Sequence, residues 1–222
     1  MSVLRLGDSS RWHATIAVLA AAALYALLPP NYTIGPAWIA PMMVLIVLVP
    51  LLVMRVRGAE WKLQRAASIV LIAIVNFFNA TSVVLLVYYL LAASRHQTGA
   101  ELLTAGAQIW ITNVLVFALW YWELDGGGPY PRSLHASARE IADADFLFPQ
   151  MAANPGQAAC IAADWKPQFV DYLYLAFVTA TALSPADVMP LSPMAKMLML
   201  LEGLISLVTL ALVLARAVNV LA

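Results

Sequence analysis

Five stretches of this chain run for 17 to 27 predominantly apolar residues, and they limit the folds open to it more than any other feature. They cover about 13–29, 37–54, 67–93, 104–122 and 194–220. A helix needs about 20 apolar residues to cross the roughly 30 Å hydrocarbon layer of a bilayer. Within that layer every backbone polar group must be satisfied internally, which leaves the helix as the natural form for such a run. A sixth apolar segment, 169–183, is shorter and stops at Pro185. Composition agrees, with 63% of the 222 residues hydrophobic and 11% charged, against roughly 45–50% apolar usage in soluble domains. The expected fold is an all-α polytopic membrane helix bundle with five full spans plus one short crossing or re-entrant segment. Residues 1–125 read as a four-span N-terminal bundle, 126–167 as a long extramembrane loop, and 168–222 as a short helix, a polar break and a last transmembrane helix.

Several functions are disfavoured at once. The lone cysteine, Cys160, excludes an intrachain disulfide. Three histidines and one cysteine make no zinc-type ligand set. No Gly-rich phosphate loop, nucleophile elbow or basic nucleic-acid patch is present. The expectation is a protein that is not an enzyme, needs no cofactor or metal, and binds no nucleic acid. Arg5 and Arg11 precede the apolar run Ala14–Leu28 as in a secretory signal, but the run ends in Pro29-Pro30 without a small-x-small cleavage site. A retained span is the expected reading.

The connections differ in character. Pro29–Pro36 is a proline-rich hairpin, Arg55–Arg65 is short and basic, and Ser94–Leu103 is short and polar. Gly126–Pro167 is long and opens on a flexible Gly126-Gly127-Gly128-Pro129 turn. Within it, Ala136–Leu147 fits a short amphipathic helix, with Ser137 and Glu140 spaced as a capping box. Trp12, Trp38, Tyr88, Tyr89, Trp120, Tyr121, Trp122 and Trp165 fall near span ends, where amphipathic rings favour the membrane interface.

Charge asymmetry sets an orientation. With a cytoplasmic N-terminus and six crossings, the inside holds Arg5, Arg11, Arg55, Arg57, Lys62, Arg65, Arg132, Arg139, Lys166 and Arg216, and the outside holds Arg95 and Lys196. If 169–183 re-enters instead, Lys196 and Arg216 exchange sides and the bias is unchanged. A loop entering from outside reverses the bias. Length favours re-entry, because fifteen residues make roughly 22 Å of helix. Charge and length leave crossing and re-entry both open.

The run from Phe177 to Pro190 is apolar, then threonine-rich, then broken by Pro185 and closed by Asp187-Val188-Met189-Pro190, with a long apolar helix following from Pro193. This order resembles the pore module of tetrameric cation channels, in which a short pore helix, a threonine-rich filter and an Asp-x-x-Pro exit precede the inner helix. The glycine positions of such a filter are held here by Ser184 and Ala186, and Pro185 fixes its own φ, which departs from a potassium-type filter. The resemblance implies an ion path through Thr179, Thr181, Ser184 and Asp187. A second likeness covers most of the chain. Asp171-Tyr172-Leu173-Tyr174-Leu175-Ala176-Phe177-Val178-Thr179, the polar break ending in Asp187-Val188, and the Ala217-Val218-Asn219 ending resemble a bacterial family of multi-pass membrane proteins with no assigned function. That likeness implies a fold and a bacterial inner-membrane location, and it implies no activity.

Ionisable groups inside a membrane are costly and read as functional by default. Glu202 lies about two turns into the last helix and is assigned to the ion path, with a structural hydrogen bond to a neighbouring helix as the alternative. Asn76, Asn79, Thr81 and Ser82 in the third span, and Gln108 and Asn113 in the fourth, read as interhelical glue. Asp171 reads as a helix N-terminal carboxylate, and Glu123 and Asp125 as a solvated helix end. The expectation is an oligomeric, lipid-embedded pore for small cations; the alternative is a non-conducting scaffold or accessory subunit.

Overall fold

The computed structural model of the chain describes residues 8–91, 99–135, 143–152, 161–162, 164–182 and 187–221. Cys160, Ser184 and the proposed capping box at Ser137 and Glu140 lie outside them. The long helices are α1 (Asp8–Ala26), α2 (Ile39–Val56), α3 (Trp61–Leu91) and α4 (Gly99–Leu124). Short elements follow: α5 (Pro129–Leu134), β1 (Phe146–Leu147) and α6 (Pro149–Ala152). The chain ends with α7 (Phe169–Ala182), β2 (Met189–Pro190) and α8 (Pro193–Leu221).

Among the described residues the fold is all-helical apart from the two-residue strand pair. Among the described residues four helices, α2, α3, α4 and α8, are long and apolar enough to cross a membrane. Helix α1 has 19 residues, but it opens on Asp8, Ser9, Ser10, Arg11 and His13, so its apolar part is shorter than theirs. It also stops at Ala26, ahead of Pro29-Pro30, rather than running to 29. Helix α7 has 14 residues, or about 21 Å of rise. Helix α3 starts at Trp61, six residues before the apolar run that announced it, because Gln64 Nε2 donates to the Ala59 carbonyl at 2.8 Å and holds the first turn closed. The basic connection shrinks accordingly to Arg57–Glu60.

Cα packing divides the chain into two compact units: 1–16 with 117–203, and 17–116 with 204–222. In the second unit, Tyr25, Leu28, Tyr32, Phe78, Leu86 and Ile109 form the apolar core. The proline-rich hairpin is tied into it by the Ile34 N–H on Tyr25 Oη at 3.2 Å and by Ser82 Oγ on the Tyr32 carbonyl at 2.8 Å. Asn79 Nδ2 donates to Asn113 Oδ1 at 3.2 Å, and Asn113 Nδ2 to Ser206 Oγ at 3.4 Å, joining α3, α4 and α8. These are the interhelical links expected of asparagines in apolar helices.

The first unit holds the end of α4, the short elements, α7 and the start of α8. Strands β1 and β2 pair antiparallel with Phe146 opposite Pro190 and Leu147 opposite Met189. Strand formation at 146–147 replaces the end of the amphipathic helix expected over 136–147. Helix α7 begins beside the C-terminal end of α4, where the Phe169 and Trp122 rings lie 6.0 Å apart. After α7 the chain returns to the same place, because Leu191 N–H donates to the Asp145 carbonyl at 2.8 Å and Asp145 N–H donates to Asp125 at 2.7 Å. The segment 169–191 thus leaves from and comes back to one end of α4.

Candidate functional site: a buried carboxyl–tyrosine pair beside an aspartate clasp

The triple glycine after α4 is a geometric requirement. Gly126, Gly127 and Gly128 adopt φ of 53°, 76° and 106°, all in the region that side chains disfavour. The turn they make brings Arg132 on α5 back under the end of α4. Its guanidinium donates to the Trp122 carbonyl at 2.8 Å and to the Asp125 carbonyl, satisfying acceptors that a helix C-terminus leaves open.

The same turn buries Asp125, which is 0% exposed. Its Oδ1 accepts the N–H groups of Asp145 at 2.7 Å and Phe146 at 3.2 Å, and its Oδ2 accepts the Tyr172 hydroxyl. Arg132 also lies over the Tyr172 ring, 5.2 Å from its centroid. One carboxylate therefore ties together the α4 terminus, β1 and α7. This overturns the reading of Asp125 as a solvated helix end. Glu123 is likewise buried, at 2% exposure.

Aromatic rings connect this clasp to a second polar pair. Tyr121 packs edge-on against Phe146 with centroids 5.1 Å apart, and Phe146 and Phe148 pack against Tyr172 at 6.4 and 5.3 Å. Tyr121 and Trp122 are buried at 0% and 3% exposure, so they belong to the core and not to an interfacial belt. Trp12, Trp38 and Tyr88, at 58%, 59% and 62%, keep the exposure that interfacial rings have.

The second pair is Tyr121 and Glu202. The Tyr121 hydroxyl donates to Glu202 Oε2, and Glu202 is 0% exposed. Its Oε1 has no hydrogen-bond partner among the described residues. A buried carboxyl with one satisfied oxygen is unfavourable in any apolar setting. On α8, Glu202, Ser206 and Thr209 recur at the i, i+4, i+7 spacing of one helix face and are all buried, while Leu200, Leu204 and Leu207 are exposed.

The remaining expected path residues fall as follows. Thr179 Oγ1 donates to the Leu175 carbonyl and Thr181 Oγ1 to the Phe177 carbonyl, each at 2.8 Å, so both hydroxyls bond one turn back on α7. Being two residues apart on a helix, they face differently: Thr179 is buried and Thr181 is exposed. Asp187 is exposed just ahead of β2. Among the described residues no hydrogen bond joins Thr179, Thr181, Asp187 and Glu202 to one another. Asp171 Oδ2 accepts the Gln168 N–H at 2.6 Å, the helix-start role expected for it.

Sequence reasoning missed Tyr121, Asp125, Arg132 and Tyr172. The usable signal was the pairing of acids Glu123 and Asp125 with three successive glycines, a combination that a plain solvated helix end does not need. No described group of three or more His, Cys, Asp or Glu side chains is placed to hold a metal ion. Comparison of the chain with protein-family models, curated proteins and solved structures gives no match.

Proposed function

We propose that this chain is a multi-pass protein of the bacterial inner membrane that moves a small cation along a polar path through Glu202 and Tyr121. The observation that carries the reading is the Glu202 carboxyl, buried in a long apolar helix with one oxygen unpartnered. A group held only for packing has no need of an ionisable head, whereas a transport path does. In this reading α1 crosses together with the four long helices, which makes five spans. The 169–191 segment is a re-entrant hairpin, supported by its return to the end of α4. With the N-terminus inside, ten of twelve basic residues lie on the cytoplasmic side and the hairpin enters from there. Thr179, Thr181, Ser184 and Asp187 belong to that hairpin, and copies of the chain assemble around the path.

The test is cation flux into proteoliposomes of the purified full chain. Glu202→Gln is expected to reduce flux while assembly is unchanged. Equal flux in the two proteins removes Glu202 from the path.

A second reading, a non-conducting scaffold or accessory subunit, draws support from the threonine hydroxyls bonded to their own helix and from the Asn79–Asn113–Ser206 links. Under it, wild-type vesicles carry no flux above protein-free vesicles, and Glu202→Gln changes stability alone.

A further inference from the structure

The turn between α2 and α3 concentrates charge at the ends of two apolar spans. Residues 55–65 hold Arg55, Arg57, Lys62 and Arg65 against a single acid, Glu60. Arg57 and Lys62 are exposed, and Arg55 and Arg65 are partly so. The turn between them is short and internally bonded. Gly58 takes φ 66°, its N–H donates to the Arg55 carbonyl at 3.2 Å, and the Ala59 N–H reaches the Met54 carbonyl at 3.0 Å. That is the Schellman closure of a helix C-terminus. With Gln64 bonded to the Ala59 carbonyl on the other side, the backbone of the turn is closed at both helix ends.

Helix electrostatics explains only half of this charge. Arg55 and Arg57 sit at the C-terminus of α2, where the helix dipole favours cations. Lys62 and Arg65 sit in the first two turns of α3, where the dipole disfavours them, and the first turn holds no acid. The apolar lengths of α2 and α3 set this turn at headgroup depth, and Trp61 opens α3 there. We propose that the 55–65 turn is a binding site for the phosphate of an anionic lipid headgroup, held chiefly by Arg57 and Lys62. Charge complementarity and depth both select a lipid over a soluble anion, and the basic side of the charge count faces the anionic leaflet. The site stands independently of any transport.

The test is native mass spectrometry of the full chain released from detergent holding equal phosphatidylglycerol and phosphatidylcholine. Wild-type protein is expected to retain phosphatidylglycerol preferentially. Attraction of roughly 1 kcal/mol per basic residue corresponds to about fivefold per charge, so Arg57→Gln with Lys62→Gln lowers the preference by about 25-fold. The control pair Lys166→Gln with Lys196→Gln leaves it unchanged. The charge-preserving pair Arg57→Lys with Lys62→Arg retains it, which separates charge from folding. The proposal is overturned if wild-type protein shows no lipid preference, if the glutamine pair keeps it, if the charge-preserving pair loses it, or if millimolar glycerol phosphate displaces the lipid.

Discussion

Tyr121 on α4 donates its hydroxyl to Glu202 on α8 at a place where both side chains are 0% exposed. This bond is the one described partner of the Glu202 carboxyl, since Oε1 has none among the described residues. Interhelical hydrogen bonds in membranes average about 0.6 kcal/mol because the separated helices find other partners. A buried acid left without its donor is a harsher case, in the range of about 1–3 kcal/mol.

Tyr121→Phe is therefore expected to destabilise the protein by about 1–3 kcal/mol. The check is a thermal or denaturant unfolding curve in detergent. Adding Glu202→Leu to Tyr121→Phe should recover part of the loss, because the unsatisfied acceptor leaves with its donor. A fully additive double variant would show that the two groups do not depend on each other.

Asp125 accepts three donors and lies beside the Arg132 guanidinium. Asp125→Ala strands the Tyr172 hydroxyl and the Asp145 and Phe146 N–H groups, at about 1–3 kcal/mol for each buried donor left unpaired. Tyr172→Phe removes one donor and keeps the ring over which Arg132 lies, so its cost is smaller, about 1–2 kcal/mol. Limited proteolysis within 126–167 should be fast in Asp125→Ala and close to wild type in Tyr172→Phe. Equal resistance in wild type and Asp125→Ala would mean that the aspartate does not hold this segment.

Gly106 on α4 faces Val213 on α8 so closely that an added Cβ would overlap Val213 Cγ2. Valine has few χ1 alternatives with which to yield. Gly106→Ala is expected to destabilise by about 1–3 kcal/mol through overpacking, and Val213→Ala in the same chain to restore most of it. Unfolding curves of the single and double variants decide this. An unaffected Gly106→Ala would place the two helices farther apart than found.

The return of 169–191 to the end of α4 has a topological consequence. Leu134→Cys and Met189→Cys, both at exposed positions, placed one at a time in a Cys160→Ala chain, should react with an impermeant maleimide from the same side of the membrane. By the charge count that side is the cytoplasm, so labelling requires permeabilised cells. Labelling of the two cysteines from opposite sides would make the segment a crossing.

The asparagines of α3 and α4 show how far sequence reasoning reached. Asn79 and Asn113 were legible as glue because a polar amide in an apolar run has few other uses, and they bond to each other. The boundaries of α2 and α8 followed from apolar length. Tyr121 and Trp122 misled, because aromatic residues at a span end fit an interface belt as well as a core, and only packing against Phe146 and Phe169 separates the two. Asp125 misled for the same reason: its three donors come from residues 20 to 47 positions away.

The sequence by itself determined that the chain is a membrane-embedded helical protein, because apolar runs of bilayer length admit few other solutions. It also located the polar break after the short apolar segment and singled out Glu202 as an acid within a long apolar run. Tertiary structure alone decided that Glu202 meets Tyr121, that Asp125 joins α4 to α7 and β1, and that 169–191 comes back to where it started. Apolar periodicity fixes which residues leave water, since that is a property of each segment. The partner of a buried polar group depends on contacts between segments far apart in the chain, and no local pattern records them.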